Sequence, residues 1–155
     1  MSIITGAGKK RLEAELRRLV DVDRPSVIKA IEEAREHGDL SENAEYAAAK
    51  ERQSFVEGRI AELSSKVKTL QVIEPTSIKE SKIVFGATVT LENADTGETV
   101  KYQIVGPDEA NVSQGTISIM SPIARALIGK KEGDDATVIT PKGETGYEII
   151  KIEYV

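Results

Sequence analysis

The stretch YAAAKERQSFVEGRIAELSSKVKTL, residues 46–70, decides the fold. Tyr46, Ala49, Gln53, Val56, Ile60, Leu63, Val67 and Leu70 follow one another at alternating spacings of three and four. A sustained period of 3.5 is the mark of a helix in a coiled coil. Upstream, Leu12, Leu16 and Leu19, then Val27, Ile31 and Ala34, carry a second apolar stripe. Pro25 interrupts that stripe; its missing N–H suits the first turn of a helix, so a kink or restart is expected near Asp23–Pro25. Gly38 is free to take a left-handed conformation and ends the first helix. The link between the stripes is short, so the helices return antiparallel as a hairpin. About 30 residues of second helix give a rod of roughly 45 Å.

Beyond residue 74 the period changes. FGATVTLENADTGETVKYQIVG, residues 85–106, reads as two strands joined at Asp95-Thr96-Gly97. GTISIM is a third strand. SPIARALIGK is a short helix with Ser121 as N-cap, Pro122 at its first position and Gly129 at its end. DDATVITP and GYEIIKIEYV complete a small α+β unit with an antiparallel-dominated sheet. The expected organisation is a coiled-coil hairpin over residues 1–74, a linker over 75–82 and the α+β domain over 83–155.

Composition narrows the function. Hydrophobic residues make up 39% and charged residues 30%, as in a soluble folded protein. With no cysteine and one histidine, His37, there are no disulfides, thiolate sites or multi-histidine metal sites. The absence of cysteine fits a reducing cytoplasm, and no secretory or membrane-spanning run is present. Net charge is −5, of which residues 75–155, with 8 basic and 12 acidic side chains, hold −4. Such a chain is poorly suited to binding DNA by phosphate neutralisation alone.

The turn between the helices, GDLSENAEY, concentrates acids: Asp39, Glu42 and Glu45. Two readings stand. In one, Asp39 is the N-cap of the second helix and Glu42 closes a capping box, with the helix dipole favouring both. In the other, two carboxylates three residues apart face outward together as half of a Mg²⁺ site, whose remaining ligands something else must supply.

EAREHGDLSENAEYAAAKERQSF (33–55), FGATVTL (85–91) and SPIARALIGKKEGD (121–134) together resemble bacterial transcript cleavage factors of the Gre family. The resemblance covers essentially the full chain. It implies binding to bacterial RNA polymerase at its secondary channel, with the C-terminal domain outside and the coiled coil threaded inward; a monomer is expected, although exposed seam ends offer a surface for self-association. It implies no enzyme activity alone: the factor stimulates the polymerase to cleave backtracked RNA and make a new 3′ end. Asp39 and Glu42 match the family's acidic tip, which helps hold a Mg²⁺ of the polymerase active centre and orients the attacking water. The resemblance also places Ser121-Pro122 in a region that docks on polymerase.

Arg52, Arg59 and Lys66 share one heptad position and form a cationic row, either paired with acids of the first helix or, Arg52 above all, contacting RNA phosphates. Phe55 lies off the seam, either exposed toward RNA or packed under the first helix. Tyr46 begins the seam and is read as packing. His37 is assigned a structural role near the turn, and Glu45 a solvated one. Two alternatives remain: a Gre-like inhibitor that occupies the channel, which should depart at the tip, and a prolyl isomerase, since the C-terminal half resembles the FKBP-like fold. The latter needs an apolar pocket, usually lined with aromatics, and this half offers only Phe85, Tyr102, Tyr147 and Tyr154.

Overall fold

In the helical half, seam residues are buried where the period places them. The computed structural model describes residues 2–38 and 43–155. Helix α3, Ala44–Val67, buries Ala49, Val56, Ile60 and Leu63 along one stripe, with Tyr46, Gln53 and Val67 half-buried on the same line. The partner arm is α1, Gly6–Arg18, a π-helical turn over Leu19–Asp23, and α2, Arg24–Arg35. The restart expected at Pro25 is this π turn. Leu12, Leu19, Val27, Ile31 and Ala34 are buried. Leu12 to Leu19 and Val27 to Ala34 are each seven apart, but Leu19 to Val27 is eight. The π turn takes up the extra residue, its last hydrogen bond running from the Arg24 amide to the Leu19 carbonyl. Both halves of the stripe therefore face α3. Pro25, in the first turn of α2, has no N–H to donate, so the ladder lacks one donor where it passes from the π turn into α2.

Ion pairs fix the antiparallel register. Arg24 grips Glu57 through two bonds of 2.8 Å, and Arg59 grips Glu15 at 2.8–3.0 Å. Leu70 departs from expectation: it leaves the seam and starts strand β2, Leu70–Val72. With 24 residues, α3 spans about 36 Å rather than the longer rod expected.

β2 pairs in parallel with β1, Ser2–Ile4. Strands of three residues carry no readable period, and sequence reading missed both. They change the domain division: the described residues up to Lys9 group with Leu70–Val155, and Lys10–Thr69 forms the helical unit, whereas the expected boundary lay at residue 74. Within the first unit Glu109 is the anchor. It is 8% exposed and Thr5 5%. Its carboxylate accepts from the Thr5 amide at 2.7 Å and the Gly106 amide at 3.0 Å, and also from the Thr5 hydroxyl. The Thr5 hydroxyl in turn accepts from the Gly8 amide at 3.1 Å. Gly106 permits this approach, since a Cβ there would lie 2.0 Å from the Ile3 carbonyl oxygen.

The rest of this unit is a five-stranded mixed sheet in the order β5-β4-β3-β7-β6. Its strands are β3, Thr88–Asn93, β4, Thr99–Val105, β5, Thr116–Ser118, β6, Asp135–Thr140, and β7, Gly143–Glu153. Three pairings are antiparallel and β4–β5 is parallel. One face packs with α4, Pro122–Leu127, in a core that includes Ile83, Val89, Leu91, Ile104, Leu127 and Ile149. The tyrosines serve this core. Tyr102, Tyr147 and Tyr154 pack against it, and the Tyr154 hydroxyl accepts from the Val84 amide at 3.0 Å and donates to the Lys82 carbonyl at 2.6 Å. Burial pushes the Tyr154 phenol above its usual range. A cleft of about 230 Å³ in this unit is lined by Thr88, Lys101, Gln103, Gln114 and Thr116 with Tyr102 as its one aromatic, unlike the aromatic-lined apolar pocket of the isomerase alternative.

Two outcomes follow for stability. Glu109→Ala orphans two buried amides and should cost about 2–4 kcal/mol in urea unfolding, with early loss of β1 exchange protection. The bidentate bond from Arg24 holds the Glu57 carboxyl below its usual range, so this pair stabilises above the unfolded carboxylate value near 4.5 and is lost as pH falls below it. Wild type should therefore exceed Glu57→Gln in melting temperature at neutral pH, and the gap should close on acidification.

Candidate functional site

The hairpin turn is built from both helix ends. α2 ends at Arg35, and Gly38, at φ 100°, takes the left-handed conformation expected of it. On the far side the N-cap of α3 is Asn43, whose side-chain oxygen accepts from the Tyr46 amide at 3.0 Å. Its amide nitrogen donates to the Ala34 carbonyl at 2.7 Å. One side chain thus satisfies an orphan donor of α3, adds a second bond to the Ala34 carbonyl, which already accepts from the His37 amide at 3.2 Å, and ties the two ends together. His37 Nδ1 lies 3.8 Å from Glu45 Oε2 across the same end, both side chains exposed. That contact is an ion pair only with the imidazole protonated.

The capping box expected at Asp39 and Glu42 is not the cap of α3, which Asn43 supplies. Asp39 and Glu42 themselves lie outside the described residues. GDLSEN offers Asp39, Ser41 and Asn43 as cap formers. The D-x-x-E spacing drew the reading to the first, while the seam beginning at Tyr46, three residues after Asn43, pointed to the last.

Along α3 the cationic row divides. Arg59 is held by Glu15 and lies 3.3 Å from Glu62, which raises its guanidinium pKa through the Glu15 bond first. Lys66 pairs with Glu62 at 3.5 Å. Arg59 follows the reading of pairing with the first helix, whereas the Lys66–Glu62 pair lies within α3. Arg59 is thereby engaged structurally rather than free for RNA. Arg52 is exposed and forms no ion pair among the described residues. Phe55 is 71% exposed, so it does not pack under the first helix. Arg52 and Phe55, three residues apart, share one outward face about two turns beyond Tyr46. In the sheet unit, the Ser121 hydroxyl accepts from the Ala124 amide at 3.3 Å and donates to the Ser118 carbonyl at 2.7 Å. The neighbouring Pro122 is exposed.

Among the described residues no group of three or more His, Asp or Glu side chains is placed to hold a metal, and no helix is long and apolar enough to cross a membrane.

Fold and turn together define a two-unit protein in which a helical hairpin presents an acid-bearing turn and a separate mixed-sheet unit carries its own core. Residues 2–72 match the family described as transcription elongation factor, N-terminal, and residues 78–154 match transcription elongation factor, GreA/GreB, C-term. The transcription elongation factor GreA of Halorhodospira halophila is 59% identical over 152 residues, covering 97% of this chain and 96% of that one. That of Neisseria meningitidis serogroup A is 59% identical over 153 residues, covering 98% and 97%. The crystal structure of GreA factor homolog 1 of Thermus thermophilus is 31% identical, with a TM-score of 0.44 and 97% of both chains covered. The chain belongs to the GreA/GreB family of transcription elongation factors.

Replacing Asn43 by Ala should remove both the cap and the Ala34 bond, a loss of about 1–2 kcal/mol. Asn43→Ser should recover the cap share alone. Urea unfolding followed by far-UV circular dichroism, run on all three proteins, checks the order.

Proposed function

We propose that this elongation factor acts in the cytoplasm, as a monomer, on bacterial RNA polymerase halted by backtracking. It enters the secondary channel hairpin first and stimulates the polymerase to cleave the extruded RNA. The chain itself is not the catalyst. The observation that carries this reading is the acidic connection between two arms locked antiparallel. Arg24–Glu57, Arg59–Glu15 and the Asn43 bridge hold the arms in register, and the residues joining Gly38 to Asn43 include Asp39 and Glu42. With Asn43 as cap, α3 does not require those two carboxylates for its own start.

Their donor chemistry suits a hard cation that keeps several waters and takes only one or two protein carboxylates. Asp39 and Glu42 would hold a Mg²⁺ of the polymerase active centre. Such an ion supplies charge stabilisation and an activated water for phosphodiester hydrolysis. The chain's own part is to deliver the two carboxylates on a stiff support and to orient water by hydrogen bonding. Arg52 and Phe55 are the side chains offered to the RNA, a cation for phosphate and a ring for stacking. Ser121 and Pro122 are the proposed docking residues of the sheet unit; the Ser121 bonds fix the start of α4 and leave Pro122 outward.

The test uses end-labelled RNA in a backtracked bacterial polymerase complex with Mg²⁺. Wild type should shorten the RNA from its 3′ end. Asp39→Ala and Glu42→Ala should bind equally well and lower the cleavage rate on the order of 100-fold. Binding without cleavage by wild type would instead identify an inhibitor of the channel, and no binding would remove polymerase as the partner.

A further inference from the structure

The two edges of the five-stranded sheet differ. β5, at one end, is only three residues long, and shortness is one way folds guard an exposed edge. β6, at the other end, has six residues, Asp135–Thr140, and pairs on one side only, with β7. Among the described residues no further backbone hydrogen bond reaches it. From Ala136 to Thr140 it reads Ala-Thr-Val-Ile-Thr, without the lysine, proline or inward charge that blunts a bare edge. These residues favour extended backbone. Ala136 and Val138 point into the core, while Asp135, Thr137 and Ile139 are exposed, Ile139 at 70%.

The outer face beside this edge has a definite charge. Asp135 lies opposite Glu148, and Glu148 lies opposite Glu92, so three carboxylates form one row across β6, β7 and β3. Glu144 sits opposite Ile139. None of the four acids forms an ion pair among the described residues. Like charges placed directly opposite repel, and a row of them is relieved by cations brought alongside. A bulge in β7 adds Ile150, 44% exposed, beside the row.

We propose that the free edge of β6 is a docking site for an extended, basic segment of a partner protein, which adds to the sheet as a sixth strand. Main-chain bonds to β6 supply the pairing, Ile139 the apolar contact, and the carboxylate row selects lysine or arginine on the outward positions of the incoming strand. A second copy of this chain is disfavoured as occupant, because it would bring a second carboxylate row to the same place. Nucleic acid is disfavoured by the same charge. The inference does not use the cleavage reading; a factor inactive in cleavage could still carry this edge.

The test is made on the isotopically labelled full chain. The probe is a short synthetic peptide alternating lysine with valine and threonine, and its control has glutamate in place of lysine. Amide exchange by NMR should show new protection within residues 135–140 with the lysine peptide and none with the control. Ile139→Lys and Glu148→Lys should each weaken binding at least tenfold, with thermal unfolding confirming that they fold. If Ile139→Lys does not fold, Glu148→Lys and the wild-type protection pattern decide. Three results overturn the proposal: peptide binding without protection in β6, protection that appears with the chain's own concentration as it dimerises, or an RNA oligonucleotide giving the protection instead.

Discussion

The helical unit depends on keeping one continuous apolar stripe against α3 although the partner arm contains one residue too many for a regular heptad. An undistorted helix would turn Val27, Ile31 and Ala34 by about 100° away from the line set by Leu12 and Leu19. The π turn at Leu19–Asp23 absorbs that residue, and all five side chains are buried. It sits where Pro25 already interrupts the regular ladder, so the sequence removes one backbone donor at the place where the hydrogen-bond pattern must change. The Arg24–Glu57 pair immediately follows, binding the end of the irregular turn to the middle of α3. A local irregularity therefore preserves the long-range register, and the register brings Ala34 and Asn43 within hydrogen-bond reach.

The sheet unit solves a different problem. Its first strand is separated from its second by the whole helical unit. Two three-residue strands paired in parallel bury little surface, so their place must be secured otherwise. Glu109 does this with a buried carboxylate whose oxygens meet amides of Thr5 and Gly106 and the Thr5 hydroxyl. Removing such an acceptor exposes several donors to an apolar interior together, so the arrangement is held far more firmly than the strand length suggests.

Features with a repeating period were legible in the sequence. The α3 seam, the hairpin at Asp95-Thr96-Gly97, and α4 with Ser121, Pro122 and Gly129 all rest on several residues that agree. What was missed rests on single side chains or on segments too short to show a period. Glu109 stands in an irregular loop, GPDEA, with nothing local to reveal a partner more than a hundred residues away. Leu70 satisfies the seam spacing and leaves it anyway, because pairing with Ser2 competes with another helical turn. At the turn, the acids and the support were both visible, but the capping reading was placed at Asp39, although three cap formers lay within five residues.

That reassignment alters the weight of the acidic turn. A D-x-x-E pattern ahead of a helix is ordinarily explained by the donors it satisfies at the helix start. Here Asn43 meets that need for α3 and also takes up the Ala34 carbonyl. Asn43 is uncharged, so it can do this without placing a fixed negative charge among the backbone groups of both helices. The structural requirement of the turn and the acidic side chains thereby fall on different residues. A turn that needed only to reverse the chain could have kept Asn43 and Gly38 and carried neutral residues between them, whereas this sequence carries Asp39 and Glu42 there. With the start of α3 met by Asn43, the proposed use of Asp39 and Glu42 on a cation held by the polymerase does not compete with capping of that helix.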